Sequence, residues 1–412
     1  MPRRLRKLGV WLGGLHIADL EQRHRNELKL RYTEDALGLW PLNSPVVSCS
    51  LPLAARPADA RHFCAGLLPE GRALQALASR AGVATNNTFA LLERYGRDIA
   101  GALVIAHEAP DEGAFAIDVY GPDGLERAVE DLEEHPLGVD DDSELSLAGL
   151  QDKLLLVELA GGGWGRPLHG RPSTHILKVD DPRRPGLVAA EAQALTLANH
   201  LGLTTVEHRL QTVGGIECLI VERFDRIVED GRVTRVHQED LCQALGVAHV
   251  GAGGKGKYEF GGGPSFQNAA RVLDTYAEDP FAELDRLVAV ATFTVAVGNA
   301  DAHGKNLALL HPDPRTVTLA PLYDTVPTVL WPKLRDRLSM FIGCQQQLSA
   351  VTLDDLQAEA RSWSHPGPHA REVAEHTAAQ LMEAVAEGVI NPESGLGRHV
   401  VGRCAALLGS AA

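Results

Sequence analysis

Apolar and polar positions along the chain change their period twice. Up to about residue 107, short β-like runs (VVSCSLPL from Val46, GALVIAH from Gly101) alternate with helical ones (ADARHFCAGL from Ala58, GRALQALASRAG from Gly71), which predicts a small α+β unit over 1–107. The first twenty residues, MPRRLRKLGVWLGGLHIADL, read as a strand, a Gly13-Gly14 turn and a second strand. Their apolar run is short, carries three glycines and lacks a small-x-small cleavage signal, so a signal peptide is not expected. The acidic stretch VEDLEEHPLGVDDDSE from Val129 reads as a solvated helix end and linker.

From Ser146 the pattern becomes β-rich: KLLLVEL from Lys153, STHILKV from Ser173, then TVEHRLQTV and ECLIVERF on either side of Gly214-Gly215. One helix, GLVAAEAQALTLANHLGL from Gly186, interrupts them with Leu187, Ala190, Leu195, Ala198 and Leu201 roughly on one face. An antiparallel, strand-rich lobe over 108–235 is predicted. Beyond it, over 236–412, the pattern is mainly helical. DPFAELDRLVAVATFTVAVGN from Asp279 is apolar nearly all round, as a buried central helix would be, and three more helical runs begin near Asp354, His369 and Gly395. GAGGKGKYEFGGGP from Gly251 reads as a mobile loop. No solenoid or propeller period is present, and no stretch approaches the roughly 20 apolar residues that span a bilayer.

Composition narrows the function. The 412 residues carry 39 Lys+Arg against 54 Asp+Glu, a net charge of −15, which argues against a surface that holds nucleic-acid backbones by itself but allows a local basic pocket for one nucleotide. Hydrophobic residues at 45% and charged residues at 23% exclude a disordered or collagen-like chain. The six cysteines (Cys49, Cys64, Cys218, Cys242, Cys344, Cys404) show no CxxC or Cys/His ligand spacing, so neither a zinc site nor a disulfide framework is expected, and a reducing cytoplasm is the natural compartment.

VGNADAHGKNLALL, from Val297, is the most informative segment. Asp301, His303, Lys305 and Asn306 crowd a short loop between two apolar elements, where uncompensated desolvation costs about 1–3 kcal/mol per group. Asp301 and Asn306 have the Asp-to-Asn offset of a protein-kinase catalytic loop, in which the Asp orients or deprotonates the acceptor hydroxyl and the Asn binds metal. Lys305 is placed to neutralise a transferring phosphoryl group. Asp324, in LAPLYDTVPT, comes after a strand, a turn and a second strand, as a second Mg²⁺ ligand would. Upstream, Lys178 lies on an apolar strand and Glu191 on the next helix, the strand-lysine to helix-glutamate pairing of kinases. LSLAGLQDKLLLVEL, from Leu145, is a candidate phosphate-covering turn. With one glycine, Gly149, it matches neither a P-loop nor the usual kinase glycine loop.

In this order, SLAGLQDK, STHILK, the Glu191 helix, VERFDR from Val221, HQEDLCQALG from His237, GNADAHGKN from Gly298 and PLYD from Pro321 resemble the motifs of HipA-like serine/threonine kinases, the toxins of bacterial toxin–antitoxin modules. LLPEG from Leu67 and ERYGRDIAGAL from Glu93 extend the resemblance to the N-terminal region. It implies an α+β, bilobal kinase-like fold with a small N-terminal subdomain, a β-rich ATP lobe and an all-helical C-terminal lobe.

By the same resemblance Asp301 is the catalytic base, assisted by Lys305, while Asn306 and Asp324 bind Mg²⁺. Lys178 contacts the ATP phosphates, and the backbone of Ala148, Gly149, Leu150, Gln151, Asp152 and Lys153 lies over them. Glu222, Arg223 and Phe224 form the adenine hinge, His303 shapes the nucleotide site, and Gln238, Glu239 and Asp240 support the catalytic loop. Ser146 is the implied autophosphorylation site. Its modification would add about −1.5 to −2 charges beside Asp140, Asp141, Asp142 and Glu144 and eject the loop. The implied partners are a HipB-like helix-turn-helix antitoxin, operator DNA reached only with that antitoxin, and a protein substrate such as an aminoacyl-tRNA synthetase.

Two other readings compete with an active kinase. A pseudokinase acting as antitoxin co-repressor would need a broken catalytic set, yet Lys178, Asp301, Asn306 and Asp324 are all present. A metal-dependent hydrolase built on D-x-H and Asp324 would need more His or carboxylate ligands than this segment offers.

Overall fold

The computed structural model describes residues 5–23, 27–121, 123–133, 147, 152–180, 183–250, 255–331, 333–334 and 336–409. The fold is α+β and divides into two units. The first comprises Met1–Asp180, Arg209–Glu239 and Leu310–Thr316, and the second Asp181–His208, Asp240–Leu309 and Val317–Ala412.

The first unit holds two sheets. Strands β1 (Arg6–Leu12), β2 (Leu15–Gln22), β3 (Leu28–Tyr32), β4 (Ala58–Asp59) and β5 (Leu103–Ala106) run in the order β4-β3-β2-β1-β5. Gly13 and Gly14 both take left-handed φ, +57° and +81°, which joins β1 to β2 in the tight turn that an antiparallel hairpin favours. Helices α1 (Glu34–Leu39), α2 (Arg61–Gly66), α3 (Gly71–Arg80) and α4 (Thr88–Tyr95) accompany the sheet, with Leu8, Ile17, Leu20, Phe63, Phe89 and Tyr95 in one apolar cluster. VVSCSLPL is not a strand. Pro45 and Pro52 withhold donors, and the segment satisfies itself in turns, with Leu51 N–H donating to the Ser48 carbonyl at 3.0 Å and Leu53 N–H to that of Ser44 at 2.8 Å.

The second sheet is formed by β6 (Ala116–Val119), β7 (Lys153–Glu158), β8 (Trp164–Leu168), β9 (His175–Val179), β10 (His208–Val213) and β11 (Ile216–Glu222), in the order β10-β11-β9-β7-β8-β6. Its neighbours β11/β9, β9/β7, β7/β8 and β8/β6 are antiparallel, as the strand-rich pattern predicts. Helix α5 (Gly124–Glu130) contributes Val129 to a core of Leu154, Leu156, Trp164, Leu177 and Ile220. A ribbon of β12 (Arg226–Glu229) and β13 (Arg232–Arg235) comes next.

A buried ionic cluster fills the space between the two sheets' connecting segments. Asp98 accepts from the Arg226 guanidinium at 3.0 Å and from the Ser173 N–H at 3.0 Å; Asp225 accepts from Arg223 at 2.8 and 2.9 Å and from the Gly101 N–H at 2.7 Å. Burial alone would raise both carboxyls, but the surrounding guanidiniums outweigh it and hold Asp98 and Asp225 below the usual carboxylate range. Burial pulls the more weakly paired Arg235 down to about 10. Gly101 must be glycine: its φ is +80°, and a Cβ would press on the His237 ring and the Gln238 backbone.

His237 is itself buried against this cluster. Its Nε2 donates to the Val47 carbonyl at 2.9 Å, and Nδ1 accepts from the Ala102 N–H at 3.4 Å, so the ring is neutral. Burial, and after it the adjacent His311, lowers its pKa from 6.5 to about 4. Below about pH 6.5 the unfolded chain takes up a proton that the folded unit refuses until about pH 4, so this contribution to stability is complete above 6.5 and declines toward 4. Urea unfolding is expected to show a loss of up to about 3 kcal/mol across that window, and His237→Gln should flatten the slope. An unchanged pH dependence in the variant would refute this assignment.

The second unit is helical: α6 (Leu187–His200), α7 (Leu241–Ala244), α8 (Phe266–Tyr276), α9 (Pro280–Val297), α10 (Leu353–Ser362), α11 (Gly367–Ala386) and α12 (Gly395–Leu408). Helix α6, which the sequence pattern places within the strand-rich region, groups with this unit. Asp279 caps α9 by accepting from Ala282 N–H, Pro280 occupies its first turn, and α8, α10, α11 and α12 pack around it. Its apolar circumference is therefore consumed by neighbouring helices, which is why the run lacks a polar face. Strands β14 (His237–Asp240), β15 (Ala308–Asp313) and β16 (Thr316–Leu319) carry the chain between the units, and β17 (Arg337–Ile342) pairs with β18 (Gln345–Gln347). The described part of the glycine-rich tract is folded tightly rather than loosely. Gly261 and Gly263 lie so close to the backbone of Lys255, Gly256 and Lys257 that a Cβ would collide, and Lys257 is buried.

Candidate active site

The loop after α9 is locked by its own polar atoms. Gly298 ends the helix with φ +76°, where a Cβ would collide with Val329. Asn299 then accepts from the Asp301 N–H at 3.0 Å, turning the chain so that the Asp301 side chain is exposed. The Asp301 carbonyl in turn accepts from His303 N–H at 2.8 Å and from Asn306 Nδ2 at 3.1 Å. Asp301 and Asn306, identified from their spacing alone, are thus joined by a direct bond.

Neighbouring elements clamp this loop. Thr328 Oγ1 accepts from Ala300 N–H at 2.9 Å, Ser339 Oγ donates to the Ala300 carbonyl at 2.8 Å, and Tyr323 O–H donates to the Lys305 carbonyl at 2.6 Å. His303 is buried, edge-on to Tyr258 at 5.3 Å between ring centres, and its Nδ1 accepts from Lys305 N–H at 3.3 Å. Asn299, His303, Asn306, Tyr323 and Thr325 line one small cleft. Asp324 sits beside Tyr323 with φ +52°, in the left-handed region that Asp enters more readily than most non-glycine residues.

Lys305 is not presented to solvent. Its ammonium donates to Asp240 Oδ2 at 2.9 Å, and both groups are buried. Asp240 also caps α7 in a reciprocal box with Gln243. Of the three residues expected to support the loop, Asp240 does so directly, whereas Glu239 binds the Cys49 N–H at 2.8 Å, Ser48 Oγ and His311 Nε2 at 3.2 Å. Adjacent strand residues face opposite ways, so Glu239 and Asp240 cannot share a target. Gln238 is half-buried on β14.

In the first unit, Lys178 on β9 stands directly opposite Lys153 on β7, and both are buried, at 7% and 8% exposed. Glu191 is fully buried on α6. Asp152 accepts from Arg72 at 2.6 Å. Ser146, Ala148, Gly149, Leu150 and Gln151 lie outside the described residues. Glu222 ends β11, with Phe224 two residues on, both half-buried. Between them Arg223 turns its side chain into the Asp98–Asp225 cluster, and its N–H donates to the Thr174 carbonyl at 2.9 Å. Both its side chain and its amide are therefore engaged within the fold.

Four residues that brace the loop, Asn299, Tyr323, Thr328 and Ser339, are absent from the set the sequence suggests. An Asn two residues before Asp301 is a legible turn signal. Thr328 and Ser339 are distant in sequence and carry no motif.

The chain matches proteins of the kinase class. The model of the HipA N-terminal domain matches residues 8–106, and that of the HipA-like C-terminal domain matches residues 145–389. The protein belongs to the HipA-like family. It is 35% identical over 396 residues, 93% of this chain and 91% of the relative, to Y4mE of Sinorhizobium fredii, which is named provisionally as a kinase. It is 30% identical over 348 residues, 81% of this chain and 78% of the relative, to the serine/threonine-protein kinase toxin HipA of Shewanella oneidensis. The solved complex of HipA, HipB and operator DNA from the same organism superposes on 98% of each chain with a TM-score of 0.82 at 27% identity.

Proposed function

We propose that this protein is an ATP- and Mg²⁺-dependent serine/threonine kinase and the toxin of a toxin–antitoxin pair. The observation that carries the reading is the Asp301 loop, whose Asn306 bond and Thr328, Ser339 and Tyr323 braces hold one exposed carboxylate in place. Asp301 would take the proton of an acceptor serine as that oxygen bonds to the γ-phosphorus and the bond to ADP breaks. Asn306 donates its nitrogen to the Asp301 carbonyl, and its oxygen would serve, together with an oxygen of Asp324, as a ligand pair of the kind Mg²⁺ takes. The ion, when bound, supplies neutralisation of phosphate charge.

Lys153 and Lys178 would hold the phosphates, while Lys305, tied to Asp240, would position the loop and share its charge with the transferring group. Glu222 and Phe224 would offer main-chain groups to adenine. Autophosphorylation at Ser146 would silence the enzyme. A HipB-like antitoxin would restrain it and carry it to operator DNA, a reading supported by the similar Shewanella oneidensis complex, which joins HipA, HipB and operator DNA. The substrate class proposed is a translation protein such as an aminoacyl-tRNA synthetase, and the compartment is the cytoplasm. Among the described residues no helix is long and apolar enough to cross a membrane.

Purified protein incubated with Mg²⁺ and γ-labelled ATP should label itself, with the label mapped to Ser146. ATP binding without any labelling would favour the pseudokinase reading instead. Titration with ATP should give at least tenfold weaker binding for Lys178→Ala, and a smaller loss for Lys153→Ala. Unchanged affinity in both would remove the facing lysines from the nucleotide site.

A further inference from the structure

The chain carries two histidines four residues apart, in His365-Pro366-Gly367-Pro368-His369, at the entry to α11. The carboxylate that joins them is invisible in the sequence because it lies eighty residues upstream on α9. There Asp285 Oδ1 lies 2.7 Å from His365 Nε2 and 2.9 Å from His369 Nε2. One nitrogen from each ring and a carboxylate oxygen all fall within 4.8 Å of one another.

The cluster is built rather than incidental. His365 is buried, its N–H donates to the Ala360 carbonyl at 3.1 Å, and Ser364 before it takes φ +65°, a backbone state that sets the direction in which His365 leaves the turn. Phe281, one turn before Asp285 on the same helix, lays its ring 4.8 Å from the His365 ring and 5.1 Å from that of His369, walling one side with apolar surface. Asp285 and His369 are partly exposed on the other side, which leaves room for entry and for a water.

We propose that Asp285, His365 and His369 bind a divalent ion of the zinc class. Two imidazoles and one carboxylate form the three-ligand set that leaves a fourth position to water, and nitrogen ligands select Zn²⁺, Co²⁺ or Ni²⁺ over Mg²⁺. Tetrahedral bonds of about 2.0–2.1 Å set ligand atoms about 3.3 Å apart, so each separation between Asp285 Oδ1 and a histidine nitrogen opens by about half an ångström, within reach of the two part-exposed members. The site is separate from the Asn306 and Asp324 pair. Asp285 lies twelve residues, about 18 Å, before the end of α9, and the ion therefore clasps α9 to the start of α11 instead of taking part in phosphoryl transfer.

The test uses the full chain stripped with chelator and titrated with Zn²⁺ alone, without nucleotide. Calorimetry is expected to show a saturable site of micromolar or tighter affinity, with a raised unfolding temperature; Asp285→Asn and His369→Ala, both at part-exposed positions, should each weaken binding at least tenfold and abolish the thermal shift. Millimolar Mg²⁺ should not compete. Co²⁺ should give d–d absorption without a thiolate charge-transfer band, which separates this site from the buried Cys49, Glu239 and His311 group. No saturable Zn²⁺ binding, equal binding by both variants while they remain folded by circular dichroism, or a thiolate band lost in Cys49→Ser would overturn the proposal.

Discussion

Asp301→Asn is expected to lower the rate of phosphoryl transfer from ATP by about 10³-fold while leaving the fold and ATP affinity intact. The size is set by what a positioned base contributes, about 10²–10⁴-fold, in a reaction where the protein supplies little beyond placement and charge. The fold should survive because the substitution falls on an exposed side chain. The bonds that shape the loop use the Asp301 main chain, with its N–H on Asn299 and its carbonyl on His303 and Asn306. An amide of the same shape keeps those main-chain bonds and cannot take a proton. Single-turnover labelling with γ-labelled ATP measures the rate, and nucleotide titration measures affinity separately. A variant within tenfold of the wild type would remove Asp301 from the chemistry, and with it the kinase assignment of this loop.

Asp98→Ala should produce the largest loss of stability, about 3–5 kcal/mol, read as a shift of the first unit's unfolding midpoint in urea. Asp98 and Arg226 are both fully buried, and removing the carboxylate leaves the buried Arg223 and Arg226 guanidiniums to share the Asp225 carboxylate, so that the cluster loses one of its counter-charges. It also strips the Ser173 N–H of its acceptor and deprives Arg223 of one of its two carboxylates. Glu112→Ala, at an exposed ion pair with Arg232, should change stability by less than about 1 kcal/mol and serves as the control. Equal effects of the two would mean that the buried cluster re-pairs or hydrates after the loss.

The two results bear on different kinds of legibility. Asp301 and Asn306 can be named from spacing because their loop is local, five residues and one turn setting its geometry, whereas Asp324 is named across a strand-turn-strand interval of eighteen residues. The hairpins at Gly13-Gly14 and Gly214-Gly215 and the buried helix α9 are legible for the same reason, since turn chemistry and period act over a few residues. VVSCSLPL misleads because β-branched residues and an apolar run describe burial as well as they describe a strand, and only the destination of its backbone donors separates the two. Lys305 is correctly placed in the loop by sequence, but its engagement by Asp240 depends on a residue 65 positions away.

The sequence by itself determined the α+β class and the family, because motif order and local periodicity are properties of neighbouring residues. Only the tertiary structure decided that VERFDR and GRDIAG meet in one ionic cluster, and that Lys153 faces Lys178 across two strands. It also brought Asp285 to His365 and His369. Those pairings join segments tens to more than a hundred residues apart, and they are selected by the need of each buried charge for a partner, which no local pattern records.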